Sequence, residues 1–288
     1  MLNNYAVFIL SYGRPDNIVT IPTLRKAGYE GKIFIVVDDK DKTLEQYKAN
    51  FGEDLLVFSK DELKGSFDIM DSSDDDRCVV FARNKVYDLA REKGLDYLIV
   101  LDDDYKQFNY RFDGNYKYIT ATKPIRSISK IFEYMIEFVA ESPVKCISFA
   151  QGGDFIGGKT GGMAQAVQTK RKAMNLFVFD VTRPLEFTGR INEDVNMYVR
   201  QGILGDIVLT TTQLSLEQAT TQANKGGLTD IYLAKGTYVK SFYSVMASPS
   251  SVKINLMGNK HRRLHHIISW KNTVPKIVQE KHKKSYNS

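Results

Sequence analysis

Only two cysteines, Cys78 and Cys146, occur in the 288 residues. One opens a helical pattern and the other sits in an apolar run, which excludes a disulfide framework or a cysteine metal site and reads as two buried, inert thiols. Long apolar runs are also missing. Stretches such as residues 207–209 are strand-sized, far below the roughly 20 residues that span a bilayer. The opening Met1-Leu2-Asn3-Asn4-Tyr5 has neither the basic segment nor the cleavage site of a signal peptide. A cytoplasmic protein with no membrane partner is expected. A Walker phosphate loop is absent as well: Gly158-Lys159-Thr160 is followed by Gly161 and Gly162, which interrupt the helix such a loop must open.

What is present is ordinary globular composition, 43% hydrophobic and 26% charged, which excludes a disordered chain. The net charge of +6 is uneven, with residues 253–284 basic and residues 68–76 acidic. A basic tail suits a polyanionic partner, and it equally suits a solvated surface.

The chain is organised around Tyr97-Leu98-Ile99-Val100-Leu101-Asp102-Asp103-Asp104, a strand of apolar residues running straight into three carboxylates. Such a strand must end at a surface, and the clustered charge calls for a cation. Asp102 and Asp104 lie two apart on extended chain and so point to one side, with Asp103 pointing away.

Residues 5–10 form a strand broken by Ser11-Tyr12-Gly13-Arg14-Pro15, and a helix to about Gly28, kinked at Pro22, is expected to follow. Residues 32–37 form a second strand ending in Asp38-Asp39. This βαβ unit implies a parallel sheet, with ligands beyond the carboxyl ends of its strands, where Ser11, Tyr12, Arg14, Asp38 and Asp39 stand. A short strand at 55–58 and a polar loop at 64–76 lead to a helix over 77–93, stopped by Gly94. On periodicity alone its Arg83 and Asn84 face solvent.

A hairpin around Asp113-Gly114-Asn115, a helix from Ile128 to about Ser142 and a strand at 144–150 come next. Six glycines among residues 151–162 then preclude regular structure. After a strand at 176–181, Gly189-Arg190-Ile191-Asn192-Glu193-Asp194 opens a helix. Asn192 is placed to cap it, and Glu193 and Asp194 fall in its first turn, where the helix dipole favours them on structural grounds alone. A threonine-rich strand at 207–214 closes the first domain, residues 1–214. Residues 215–288 form an extension that contains His261-Arg262-Arg263-Leu264-His265-His266. If that segment is helical, His261 and His265 share a face.

The βαβ start, Ala82-Arg83-Asn84, the strand ending in Asp102-Asp103-Asp104 and the helix-opening Glu193-Asp194 together resemble the GT-A glycosyltransferases. The resemblance implies a Rossmann-like α/β fold, a mixed and mostly parallel sheet flanked by helices, here with an α-rich C-terminal extension. INEDVNMYVR, TTQANKGGLTDIY, KGTYVKSFYSVM and HRRLHH are similar to the phage-type TET-associated glycosyltransferases, a branch inferred to decorate hydroxylated bases in DNA.

That resemblance implies a UDP-sugar donor held with Mn²⁺ or Mg²⁺ and a DNA acceptor, in the host cytoplasm if the chain is phage-encoded. It implies Asp104 as direct metal ligand, Asp102 on the metal or ribose, and His261 or His265 completing the metal site. Asp38 or Asp39 would meet the base, Arg14 and Arg83 the nucleotide, with Ser11, Tyr12 and Asp103 beside them. It implies Asp194, or second Glu193, as the carboxylate that takes the acceptor proton in an inverting reaction. A GT-A enzyme acting on a glycan or small molecule is the alternative, ahead of a metal-dependent nuclease or nucleotidyltransferase. A non-catalytic DNA-binding protein would explain the basic tail but not Asp102, Asp103 and Asp104.

Overall fold

The computed structural model describes residues 4–73, 76–218, 237–257 and 262–273. Strand β1 (Tyr5–Leu10) leads through α1 (Thr20–Lys26) to β2 (Ile33–Asp38), and α2 (Leu44–Phe51) leads to β3 (Leu55–Phe58). Helix α3 (Val80–Glu92) precedes β4 (Tyr97–Asp102), which turns at once into the hairpin β5 (Tyr105–Phe112) and β6 (Tyr118–Pro124). Then come α4 (Ile128–Glu141), β7 (Val144–Gln151), β8 (Thr169–Lys170), β9 (Phe177–Asp180), α5 (Glu193–Leu204) and β10 (Ile207–Gln218). The described part of the extension holds α6 (Thr237–Ala247), the antiparallel pair β11 (Val252–Met257) and β12 (Arg263–Ile268), and the short α7 (Trp270–Thr273).

The strands make one sheet in the order β3-β2-β1-β4-β9-β7-β10-β5-β6, with β8 beside β10. β1 to β4, β6, β7 and β10 share one sense and β5, β8 and β9 oppose it, so the sheet is mixed and mostly parallel. Period-two alternation sorts its side chains into two cores. Val7, Ile9, Ile35, Val37, Ile99 and Leu101 pack with Leu24, Tyr47 and Phe132 of α1, α2 and α4. Ala6, Phe8, Val36, Leu98 and Val100 pack on the other face with Phe81, Val86 and Leu89 of α3 and Val195 and Val199 of α5. The result is a three-layer α/β/α body, as the GT-A resemblance implies. β10 runs on through Leu214 to Gln218, pairing with β7 and β5 in turn.

Several expectations need correction. Helix α1 starts at Thr20 rather than near Pro15, and Pro22 lies in its first turn, where a missing amide costs nothing and no kink is needed. The HRRLHH segment, considered above as a helix, is strand β12 over its described residues, paired to β11 from Arg263↔Met257 to Ile268↔Val252. Among the described residues no helix is long and apolar enough to cross a membrane.

Thr20 ties the first helix to the turn after β4. Its buried Oγ1 donates to the carbonyl of Asp102 at 2.6 Å and accepts from the amide of Tyr105 at 3.0 Å, and its own amide donates to the carbonyl of Asp103 at 3.2 Å. Thr20→Val keeps the shape and strands two backbone groups. We expect a loss of about 2 kcal/mol or more in urea denaturation, and an unchanged midpoint would show that the threonine does not hold the turn.

Candidate active site

The carboxyl ends of β1, β2 and β4 meet here, and each brings its own polar turn. Asp103, only 5% exposed, accepts from Arg14 Nη1 at 2.8 Å and from Ser11 Oγ at 2.7 Å. Ser11 Oγ also lies 2.7 Å from the Tyr47 hydroxyl, which accepts the Arg14 amide at 2.9 Å. Asp41 takes the Gly13 amide at 2.7 Å. Burial pushes Asp103 up from the ordinary carboxylate range, against the pull of Arg14. Asp103 therefore fastens the loop after β1, turned away from its neighbours as the strand geometry requires.

Asp38, buried at the end of β2, is ion-paired with the buried Lys60, whose ammonium lies 5.3 Å from the ring centre of Tyr12. Asp39 is exposed. Thr20, Asp41, Tyr47 and Lys60 were all missed from sequence, since none stands in a recognisable motif.

Asp102 and Asp104 remain partly exposed. Asp102 accepts from Arg83 Nη2 at 2.6 Å and from the Tyr105 hydroxyl at 3.3 Å. Burial first, then the charges of Asp102 and Asp103, push Asp104 up to about 6.

Arg83 is not solvent-facing, as periodicity suggested, but 3% exposed. Its guanidinium lies 4.7 Å from the Phe177 ring centre, and its Nε is 3.8 Å from Glu193 Oε1. Burial opposes its charge, and Asp102 and Glu193 more than offset that, so it is held above its ordinary value. Asn84 is likewise turned inward, accepting the Phe187 amide and donating to the Phe187 carbonyl at 2.9 Å each. The Arg-Asn pair thus reaches both Asp102 and the approach to the Glu193-Asp194 motif.

Glu193 is buried, and burial followed by repulsion from Asp194 raises it to about 8, with Arg83 opposing. Asp194 is partly exposed and accepts the Val195 amide at 2.7 Å. Burial raises Asp194 too, and Lys240 of α6 pulls it back. Asn192 does not cap α5 with its side chain. It is left-handed, φ 57°, and its Nδ2 donates to the Lys240 carbonyl at 2.6 Å and to Ser244 Oγ at 3.1 Å. The reach to α6 takes the place of a cap. Gly189, at φ +84°, precedes it in a packed turn where an added Cβ would sit 2.5 Å from Asn196 Nδ2. Arg190 is bonded twice through Nε and Nη2 to Asp71, which also accepts from the Tyr243 hydroxyl of α6.

His261 lies outside the described residues. His265 stands on β12, its ring stacked at 4.4 Å on that of His266. Among the described residues no three of His, Cys, Asp and Glu form a metal-holding group. The donor set that is present, two partly exposed carboxylates at the end of one strand, nevertheless fits a hard cation that takes its other oxygens from a diphosphate and water.

A family model described as TET-Associated Glycosyltransferase matches residues 5–227. No curated protein matches the chain in sequence. Among solved structures, the chain is similar to glucosyl-3-phosphoglycerate synthase from Mycobacterium tuberculosis in complex with Mn²⁺, UDP and phosphoglyceric acid, at 9% identity and TM-score 0.43, covering 92% of this chain and 87% of that one. It is also similar to the mannosyltransferase PcManGT from Pyrobaculum calidifontis with GDP-Man and Mn²⁺, at 12% identity and TM-score 0.45, covering 85% and 73%. S. aureus TarS 1-349 with UDP matches at 9% identity and TM-score 0.44, covering 85% and 65%.

The elevated Asp104 gives a pH signature. A raised carboxylate pKa means the folded chain holds the proton more tightly than the unfolded one, so the stability linked to Asp104 is full below about pH 4 and is lost as pH rises through about 6. With divalent cations chelated, Asp104→Asn should be more stable than wild type above pH 6, and the gap should close near pH 4. A gap that does not change with pH in thermal melts would contradict the charge crowding.

Proposed function

The chain belongs to the TET-associated glycosyltransferase family, and from that premise we propose that it moves a sugar from a UDP-sugar to the hydroxyl of a 5-hydroxymethylpyrimidine in DNA, in the cytoplasm. One observation carries the placement of the reaction. Arg83 lies against Asp102 at 2.6 Å and Glu193 at 3.8 Å, so the strand-end carboxylates and the helix-opening carboxylates face one site.

The donor would lie over the carboxyl ends of β1, β2 and β4. Asp38, held by Lys60, or the exposed Asp39 beside it would meet the base, and Ser11, Tyr12 and Arg14 would line the adjoining loop. Asp102 and Asp104 would hold Mn²⁺ or Mg²⁺, which supplies charge neutralisation for the departing diphosphate. Arg83 orients Asp102 and holds Glu193 beside it.

The acceptor hydroxyl has a pKa far above 7 and needs a carboxylate as it attacks. Glu193, buried and lying against Arg83, is taken up in compensating that guanidinium. Asp194 is the more exposed of the two, and although burial raises its carboxyl, Lys240 opposes that rise. Asp194 therefore takes the proton from the acceptor oxygen while that oxygen attacks the anomeric carbon from the face opposite UDP, with inversion.

We expect Asp194→Asn to lower turnover about 10² to 10⁴-fold with donor affinity nearly intact, and Glu193→Gln to cost less. Wild-type turnover in the Asp194 variant would send the search for the base elsewhere. Duplex DNA bearing 5-hydroxymethylpyrimidine should gain the mass of one sugar per modified base, and unmodified duplex should gain none. UDP release with small hydroxylated acceptors but no mass gain on any hydroxymethylated DNA would move the acceptor to a glycan or small molecule.

A further inference from the structure

The C-terminal basic run seen in the sequence falls partly outside the described residues, but a second positive surface is fully described. Residues 105–126 hold five Lys or Arg against one carboxylate, and residues 151–172 hold four against one, a net +7 in two segments of a chain whose total is +6. The single carboxylate of each segment is already engaged. Asp113 accepts the amides of Asn115 and Lys117 within its own turn, and Asp154 is buried between Lys170 and Lys172 at 2.5 Å each. Among the described residues no ion pair joins Lys117, Lys123 or Lys159 to a carboxylate.

The two segments face each other. Between them lies an open cavity of about 290 Å³ lined by Tyr116, Lys117, Tyr118, Lys159, Ala164 and Gln165, with no acidic side chain in its wall. Its base is firm: the Tyr118 ring stacks on Phe155 at 6.0 Å and 29°, and the Arg111 guanidinium lies 4.4 Å from the same Phe155 ring. Tyr116, at the tip of the hairpin, is 75% exposed and held at φ 57° by the turn. A large planar ring presented to solvent between two lysines, beside glycine-rich backbone, combines the features that bind a nucleic-acid strand: cations for phosphates and a flat face for a base.

We propose that this cleft is where the acceptor DNA docks, with phosphates on Lys117 and Lys159 and a base against Tyr116. The proposal rests on DNA being the acceptor. The cleft sits at the tip of the β5–β6 hairpin, and Tyr105, which opens β5, directly follows Asp104, so the strand sets the cleft about 25 Å from the reaction site, a span that a bound duplex covers in roughly seven base pairs.

The test uses the full chain, a labelled hydroxymethylated duplex and its unmodified counterpart, with anisotropy measured across a salt series. Lys117→Glu with Lys159→Glu should flatten the slope of log K against log salt by about 2 and weaken binding more than tenfold at low salt. Tyr116→Ala should weaken it about 5- to 100-fold with the slope unchanged. UDP-sugar hydrolysis in the absence of DNA should match wild type in all of them, which shows that they are folded. Should the charge-reversed pair lose hydrolysis, the neutral pair Lys117→Gln with Lys159→Gln gives the reading, with about half the effect expected. Steep, salt-dependent binding by wild type that these variants retain would overturn the cleft and leave the DNA acceptor standing. Wild type that binds neither duplex would overturn both.

Discussion

A buried guanidinium between two carboxylates sets the geometry of this protein. Arg83 is nearly without solvent contact, and its Nε and Nη1 make no hydrogen bond. A charge in that position is tolerable only if opposite charge stays close, because losing one partner of a buried pair costs several kcal/mol. Asp102 and Glu193, separated by ninety residues of chain, are thereby held to one point. The end of β4 and the start of α5 cannot drift apart without exposing that cost, and Phe177 of the intervening strand closes the third side. The proposed donor and acceptor ends of the reaction would share one electrostatic anchor.

The C-terminal extension is part of the same construction. Asn192 leaves the ordinary capping conformation to reach Lys240 and Ser244, and Asp71 joins Arg190 to Tyr243. Residues 237–247 lie beyond the matched residues 5–227, yet they fix the turn that presents Glu193 and Asp194. Variation in this helix would alter the approach to the proposed base without touching the donor loops.

Much of this was legible in the sequence because it follows from period and charge. Residues 5–10 and 97–101 are apolar throughout, as a buried strand requires, and three carboxylates after such a strand can end only at a surface. Arg83 was not legible as a buried residue. Helical periodicity treats any arginine as polar and cannot see carboxylates 19 and 110 residues further along the chain. Asn192 failed for a related reason: its residue type suits an N-cap, but a tertiary partner on α6 won. Helix α2 carries its buried face on Tyr47 alone among fully buried residues, too little for a stripe. HRRLHH fits helix or strand by pattern, and pairing with β11 decided it.

In the proposed donor site Asp102 and Asp104 act through a divalent cation. Calorimetric titration of UDP into the protein, with Mn²⁺ and again with the cation chelated, addresses it without any knowledge of the acceptor. The account requires binding with Mn²⁺ that weakens at least tenfold on chelation, and in Asp104→Asn the difference between the two conditions should collapse. Equal UDP affinity in both conditions for the wild-type chain would contradict the account.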